Sequence, residues 1–561
     1  MLILFKNNLG KVSDYMKSNF MHELKIVLKV AWKEYLFKLF TSLVIRGILL
    51  VIPVLFSFIV NDVTHQNFDN AFAVLVLLFI LVLVYRIFEG INQIAYYKLY
   101  TKLYSFYNVL ALKKTEQNSL FSLSRFTSSS FSNIVITDVD IISGFFSSLV
   151  IRIIQIVEFV VIYIYFLNLD IYLFASCAVI SIVMIFISIF SGNKVQDLNE
   201  KRKQNLDVMG ASMFDFFAGI KEVKSYHLFD RISSLTSSNV NKYLKAHSRY
   251  NVKFNFNNHM FLYVFEAARL LSVLYGIYLI RNGNFEVGTL LIIWNYYQKI
   301  IDNFSTILTI NVEYRNIKVS LNRFYKLAEH SNSKVKGPEI DKNSVKGRIE
   351  FKNILYGFKD NPTLKDASIV LKENAITVLT GRDEAAQAGI FELILKLNKQ
   401  HEGTITLDGM DINEIDEDSY YRLVSTEGRQ SVFFDIPIKE NLLLVNEDEN
   451  KIMEICKKTG LDEQLMKLPK GYDTIISTNT PISQSTKKLL VLVRLLLQES
   501  KVLLIDDIIN NLDKEHENKI LKMFEEMKKD HTIVIISNSK EIIEKADYIY
   551  EVNNKTIKKE K

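Results

Sequence analysis

The sequence predicts two parts: an all-α membrane domain of about six helices, then a soluble α/β domain. Three observations carry this. Long apolar segments fill the first three hundred or so residues, the remainder is rich in Lys, Glu and Asp, and that remainder alternates strand-like with helix-like stretches. At 561 residues, the chain is long enough for several domains; 49% of its residues are hydrophobic, 23% are charged, and the net charge is +6. No basic-aromatic patch accompanies that charge, which argues against nucleic acid as a partner. Lysines gathered at the cytoplasmic face of a membrane account for it better. Cys177 and Cys456 are the only cysteines, so there is no CxxC motif and no disulfide framework. The opening MLILFKNNLGKVSDYMK has no small-residue cleavage site and reads as cytoplasmic, without a signal peptide. The wealth of Lys, Asn and Ile fits an AT-rich bacterial genome.

Spans are expected at about 36–60, 71–91, 145–167, 171–190, 260–280 and 287–308, each near the ~20 apolar residues that cross a bilayer. The connections alternate in length. Asn61–Asn70, Asn168–Asp170 and Arg281–Glu286 are short, with Arg281 their only Lys or Arg. The long connections, Gln93–Ser143 and Ser191–His259, carry Lys98, Lys102, Lys113, Lys114, Lys201, Arg202 and Lys203. The positive-inside rule then places both termini and both long loops in the cytoplasm of a multi-pass cell-membrane protein. The long loops show helical periodicity without proline and read as helices continuing past the bilayer. Domain boundaries follow: 1–35 a cytoplasmic segment, 36–329 the membrane domain, 330–347 a polar linker containing Pro338, and 348–561 the soluble domain.

Arg46, Arg86, Arg152, Glu158, Glu266 and Arg269 fall within the spans. Such residues are costly in lipid and face a bundle interior or a water-filled cavity. Glu158 admits two readings, interhelical pairing and a substrate path. Glu266 and Arg269, at i,i+3 spacing, read first as a pair on one helix face and second as part of such a path.

In the soluble part, Ala375–Leu397 has the frame of a phosphate-binding loop. A β-rich run, Ile376–Leu379, enters a turn at Gly381, and an amphipathic helix follows from about Ile390. The pattern requires a second glycine, a lysine and a hydroxyl residue; here Ala386, Gln387 and Ala388 stand there, followed by Gly389. Ala386 brings a Cβ where backbone must approach phosphate, Gln387 lacks the ammonium charge, and Ala388 has no oxygen for Mg²⁺. Asp383 and Glu384 add negative charge where phosphate would sit.

Landmarks along the chain then resemble one family in order and spacing. They are Ile349–Asn353, Thr363–Asp366, Gly403-Thr404-Ile405, Leu407-Asp408-Gly409, Ile438–Leu442, Lys501–Asp507 and Ala546-Asp547, with Phe217–Lys224 and Glu286–Leu290 in the membrane part. Over nearly the whole chain the sequence resembles an ABC exporter half-transporter of the bacterial peptide- or multidrug-export type. The resemblance implies a six-helix membrane domain joined to a P-loop NTPase-like, ABC-type nucleotide-binding domain, with ATP and Mg²⁺ as cofactors. It also implies a dimer, possible partners including a different half-transporter, and an exported peptide or other amphipathic substrate.

By the same resemblance, most functional positions have changed. The adenine-stacking tyrosine falls on Phe358, and the glutamine of the loop after the second helical region falls near Arg429 or Gln430. The signature sequence falls on Ile482–Thr486, keeping Ser483 but neither glycine. Asp506 keeps the carboxylate that would hold Mg²⁺ through water, and it also reads as a strand-end cap. Asp507 replaces the catalytic glutamate with a shorter acid, and Asn538 replaces the switch histidine. The resemblance therefore implies an exporter subunit with a degenerate nucleotide site that depends on a partner. Two alternatives stay open: a sensor, immunity or regulatory membrane protein on the exporter frame, and an ordinary, weakly ATP-hydrolysing exporter.

Overall fold

A computed structural model describes residues 20–561 apart from 124, 125, 127, 330–334, 336, 359, 360, 428–431, 477–481, 507–511 and 513. The chain forms two compact units. One runs to Leu110 and includes Ser132–Tyr325; the other joins Ala111–Phe131 to Lys326–Lys561.

The first unit is helical. After α1 (Phe20–Val30) come α2 (Trp32–Thr64), α3 (Phe68–Gln117) and α4 (Leu120–Leu123), the last belonging to the second unit. Then follow α5 (Val139–Leu169), α6 (Ile171–Ala218), α7 (Phe229–Arg281) and α8 (Thr289–Glu329). α6 has 48 residues and α7 has 53. At ~1.5 Å per residue each is more than twice as long as the ~30 Å hydrocarbon core of a bilayer. Asp170 starts α6 by accepting from the backbone N–H of Tyr172 (2.8 Å) and Leu173 (3.2 Å).

Among the described residues, four helices are long and apolar enough to cross a membrane: Trp32–Thr64, Phe68–Gln117, Phe131–Leu169 and Phe229–Arg281. Six were expected from the sequence. The described apolar run of α6 covers only Ile171–Val183, and α8 interrupts its apolar residues with Asn295, Gln298, Lys299, Asp302 and Asn303. Ile162, Phe166, Cys177, Phe265, Ile293, Tyr297 and Ile300 form a buried core between α5, α6, α7 and α8. Tyr297 is fully buried, and its hydroxyl bonds the Oγ of Ser272 (2.5 Å) and Ser176 (2.6 Å).

The second unit holds two sheets. β1 (Ile349–Phe358), β2 (Asn361–Leu371), β4 (Glu402–Leu407) and β5 (Met410–Asp411) form an antiparallel sheet in the order β2-β1-β4-β5. The second sheet, in the order β10-β9-β3-β8-β7-β6, is parallel except for its final hairpin. Its members are β3 (Ile376–Thr380), β6 (Val424–Glu427), β7 (Val502–Asp506), β8 (Thr532–Ile536), β9 (Tyr548–Asn553) and β10 (Thr556–Lys559). Helices α9 (Glu384–Ile394), α10 (Glu417–Leu423), α11 (Gln484–Leu497) and α12 (Lys514–Met527) cover it. The central strands read as near-continuous apolar runs because helices bury both of their faces. Leu379 pairs with Ile536, and Ile536 with Asp506. The ends of β3, β7 and β8 therefore lie side by side, the edge where α/β sheets bind ligands.

Candidate functional site at the strand ends

β3 ends at Thr380 and α9 begins at Glu384, so only Gly381, Arg382 and Asp383 make the turn. Gly381 has φ +125°, and a Cβ there would lie 2.2 Å from the Val552 carbonyl oxygen. Only glycine fits. The C-terminal hairpin holds the rest of the turn: Arg382 N–H donates to Asn553 Oδ1 (2.8 Å), and Lys555 N–H donates to Asp383 Oδ2 (3.0 Å).

Asp383 also caps α9, its Oδ1 accepting from Ala386 N–H at 3.1 Å. A helix N-terminus after a glycine turn is a ready anion site, because its first N–H groups lack partners and the helix dipole favours negative charge. Here the chain's own carboxylate fills that place. Ala386 is fully buried within the helix, and Gln387 is 2% exposed with its amide donating to the Gly381 carbonyl (3.4 Å). Ala388 is half-buried and carries no oxygen. Gly389 lets the Tyr356 ring lie against α9, where a Cβ would stand 2.8 Å from its Cε1. The Tyr356 hydroxyl donates to Glu392 Oε2 (2.6 Å); burial and that carboxylate push the phenol well above its ordinary range.

Asn538, just past β8, is tied into the same turn. Its Oδ1 accepts from Thr380 Oγ1 (2.8 Å) and Gly381 N–H (3.0 Å), and its Nδ2 donates to Gly381 O (3.3 Å). Ser483 is the N-cap of α11, accepting from Thr486 N–H at 3.0 Å. Asp506 is half-buried at the end of β7. Asp507, Arg429 and Gln430 lie outside the described residues, as does the side chain of Phe358.

The structure thus brings together Gly381, Gln387 and Asn538, while Ser483 serves a separate helix end. Among the described residues no three His, Cys, Asp or Glu side chains converge as a metal-ligand set. The turn does not fit Mg²⁺-triphosphate. Its anion position is taken by Asp383, the lysine position holds a buried amide, and the residues that would cradle phosphate are already helical.

A second contact in this unit escaped the sequence reading. Glu417, 4% exposed at the start of α10, accepts from Leu120 N–H at 3.0 Å and so holds α4. The Nζ of Lys399 lies 5.2 Å from the Phe121 ring centroid. In the sequence, Asp416-Glu417-Asp418 signals only a helix start.

In the membrane unit, Glu158 is 2% exposed and receives three donors: Arg46 Nη1 (2.9 Å), Lys299 Nζ (3.3 Å) and Asn303 Nδ2 (3.3 Å). Glu266 pairs with Arg269, which donates to Gln298 Oε1 (2.8 Å) and stacks 3.7 Å from the Trp294 ring centroid. Arg152 pairs with Glu313. Lys299, Asn303 and Glu313 were missed, because a helical pattern shows which residues share a face but not which helix faces them.

The comparisons accord with this architecture. The family described as ABC transporter transmembrane region matches residues 35–302, and the family described as ABC transporter matches residues 364–510. A putative ABC transporter ATP-binding protein of Mycoplasma genitalium is 31% identical over 241 residues, 42% of this chain and 41% of its own length. An ATP-dependent lipid A-core flippase of Haemophilus influenzae is 25% identical over 286 residues, 50% of this chain and 49% of its own. The chain thus spans about half or less of the length of these curated relatives. A solved structure of a bacterial Atm1-family ABC exporter with ATP bound has the same fold: TM-score 0.81, 18% identity, 94% of this chain and 95% of that one covered. The chain belongs to the ABC transporter family and is a half-transporter with a transmembrane domain and a nucleotide-binding domain of ABC type.

Proposed function

We propose that this chain is a nucleotide-deficient subunit of a membrane exporter that works with a different half-transporter. The observation that carries the reading is the carboxylate of Asp383 on the N-terminus of α9, where a nucleotide phosphate would have to bind. Gln387, the altered signature around Ser483, the short acid Asp507 and the neutral Asn538 point the same way. In this reading Asp506 ends a strand and holds no metal, and the partner supplies the phosphate loop for whatever ATP turnover the complex performs. The chain sits in a bacterial cell membrane with both termini and both long loops cytoplasmic, its domains divided at about residues 35, 329 and 347. The substrate is an amphipathic molecule such as a peptide.

The altered signature helix favours a second reading, a regulatory membrane protein on the exporter frame, since asymmetry between two subunits requires the loss of only one half-site. Two measurements separate them. Mg-ATP hydrolysis by the purified chain should be at background, and substrate movement by cells or vesicles should depend on the chain together with a competent half-transporter. Transport that persists without this chain favours the regulator. Robust turnover by the chain alone, abolished by Asp507→Ala, overturns both.

A further inference from the structure

Lys38 lies in α2, a helix long and apolar enough to cross a membrane, at only 4% exposure. Among the described residues no carboxylate pairs with it. Glu34, one turn earlier, pairs with Lys102 (2.9 Å), and Glu89 of α3 pairs with Arg86 (2.9 Å). The buried charges of Glu158 and Arg269 each have an opposite charge beside them; Lys38 does not. A charge at membrane depth is costly, and one without a counter-ion points to a site that takes an anion from outside.

The groups around Lys38 give that anion its chemistry. The ammonium donates to the Asn92 carbonyl (3.1 Å) and lies 5.5 Å from the Tyr96 ring centroid. It has three N–H groups, so donor capacity remains. Thr41 Oγ1 and Ser42 Oγ both donate to Asn92 Oδ1 at 2.9 Å. They orient the amide, and among the described residues its Nδ2 donates to no acceptor. Asn92 is half-exposed, so the cluster opens on that side. An ammonium and an amide with unused N–H groups suit an oxyanion.

The cluster stands near one surface of the bilayer. Lys38 is roughly 9 Å along α2 from Trp32, and Asn92 is roughly 36 Å along α3 from Phe68, against a hydrocarbon core of ~30 Å. Trp32 is 54% exposed, as suits a ring at headgroup level, and the exposed Lys25, Lys29 and Lys33 flank it. Leu36, Phe40 and Leu43 share one exposed face of α2. Phe40 meets Phe88 of α3 edge-on, with ring centroids 6.3 Å apart. Donors at headgroup depth beside an apolar wall match the two parts of a phospholipid.

We propose that Lys38 and Asn92 bind the phosphate of an anionic phospholipid at this membrane surface, with its acyl chains along Leu36, Phe40 and Phe88. The inference requires only that α2 and α3 cross the membrane, and it concerns a resident lipid rather than cargo.

The full chain, purified in neutral detergent, is titrated with dioleoylphosphatidylglycerol and with dioleoylglycerol, which keeps the acyl chains and lacks the phosphate. Native mass spectrometry counts the lipids retained. Saturable retention of the phosphatidylglycerol above the dioleoylglycerol background is expected. Its affinity should fall at least about tenfold in Lys38→Met and in Asn92→Asp, which gives the lysine a carboxylate of its own. If Lys38→Met does not fold, Asn92→Asp carries the test. Equal retention of the two lipids, or phosphatidylglycerol binding unchanged in the variants, overturns the proposal. Inorganic phosphate that displaces the lipid at equal concentration would assign the site to a soluble anion and overturn it as well.

Discussion

The turn after β3 and the hub around Glu158 treat charge in opposite ways. At the turn, where a phosphate loop would require a cation, the chain has Gln387 and turns the carboxylate of Asp383 onto the helix. At the hub, where lipid and burial penalise charge most, it keeps Glu158 with two cations and an amide. Buried ion pairs are poor stabilisers relative to apolar packing, because desolvation offsets their attraction. Their retention in the membrane unit points to an arrangement the bundle has to hold, whereas the turn after β3 is held by a close backbone approach and by its own carboxylate.

The largest expected effect tests the hub. Glu158→Ala would leave Arg46 and Lys299 buried beside no carboxylate and should destabilise the membrane unit by about 3–5 kcal/mol. A thermal melt of the purified protein in detergent reads this; pairing the change with Lys299→Met should recover part of it. An unchanged melting temperature would mean that water reaches the hub. Next comes Gly381→Ala, which combines a positive φ with a clash against Val552. It should cost about 1–3 kcal/mol in chemical unfolding followed from the soluble domain. A neutral outcome would show that the turn is looser than described.

Smaller effects compare the two helix caps. Asp383→Ala should cost about 0.5–2 kcal/mol, whereas Asp383→Asn, which can still accept the Ala386 N–H, should cost less. Ser483→Ala should fall in the same range as Asp383→Ala, since it too removes a cap from a long helix. Should Asp383→Ala instead raise stability, the carboxylate would be under strain, and its role as the occupant of the anion site would need revision.

The smallest effect depends on pH. Burial pushes the Lys396 ammonium down to about 8, although Glu417 and Asp416 oppose the shift. Between that value and its ordinary range near 10.5, the unfolded chain binds more protons than the folded one. Stability from this group therefore rises as pH increases from about 8 to about 10.5 and is flat below. Lys396→Met should remove that rise in melting curves recorded across the window; a slope that persists in the variant would assign it to another group.

Much of the fold was legible because its signals are local. The apolar runs of Trp32–Thr64 and Phe68–Gln117 and the strand–glycine–helix frame at Gly381 each carry their own pattern. The order of motifs added the family. The partners of Glu158 were not legible, because Arg46, Lys299 and Asn303 lie 112, 141 and 145 residues away in sequence. The sequence marked Asp383 only as added negative charge. That its carboxylate turns onto the helix depends on Asn553 and Lys555, which reach the turn through a hairpin at the far end of the chain. The apolar pattern of α8 is diluted by residues that pair with other helices, Lys299 and Asn303 among them.

The most direct measurement is equilibrium binding of Mg-ATP to the purified chain, without a partner. A carboxylate on the helix N-terminus and a buried amide in place of lysine predict no saturable binding up to about 1 mM, a free energy near −4 kcal/mol. Stoichiometric binding with a Kd of about 100 µM or tighter, unaffected by Asp383→Ala, would contradict the account at its centre.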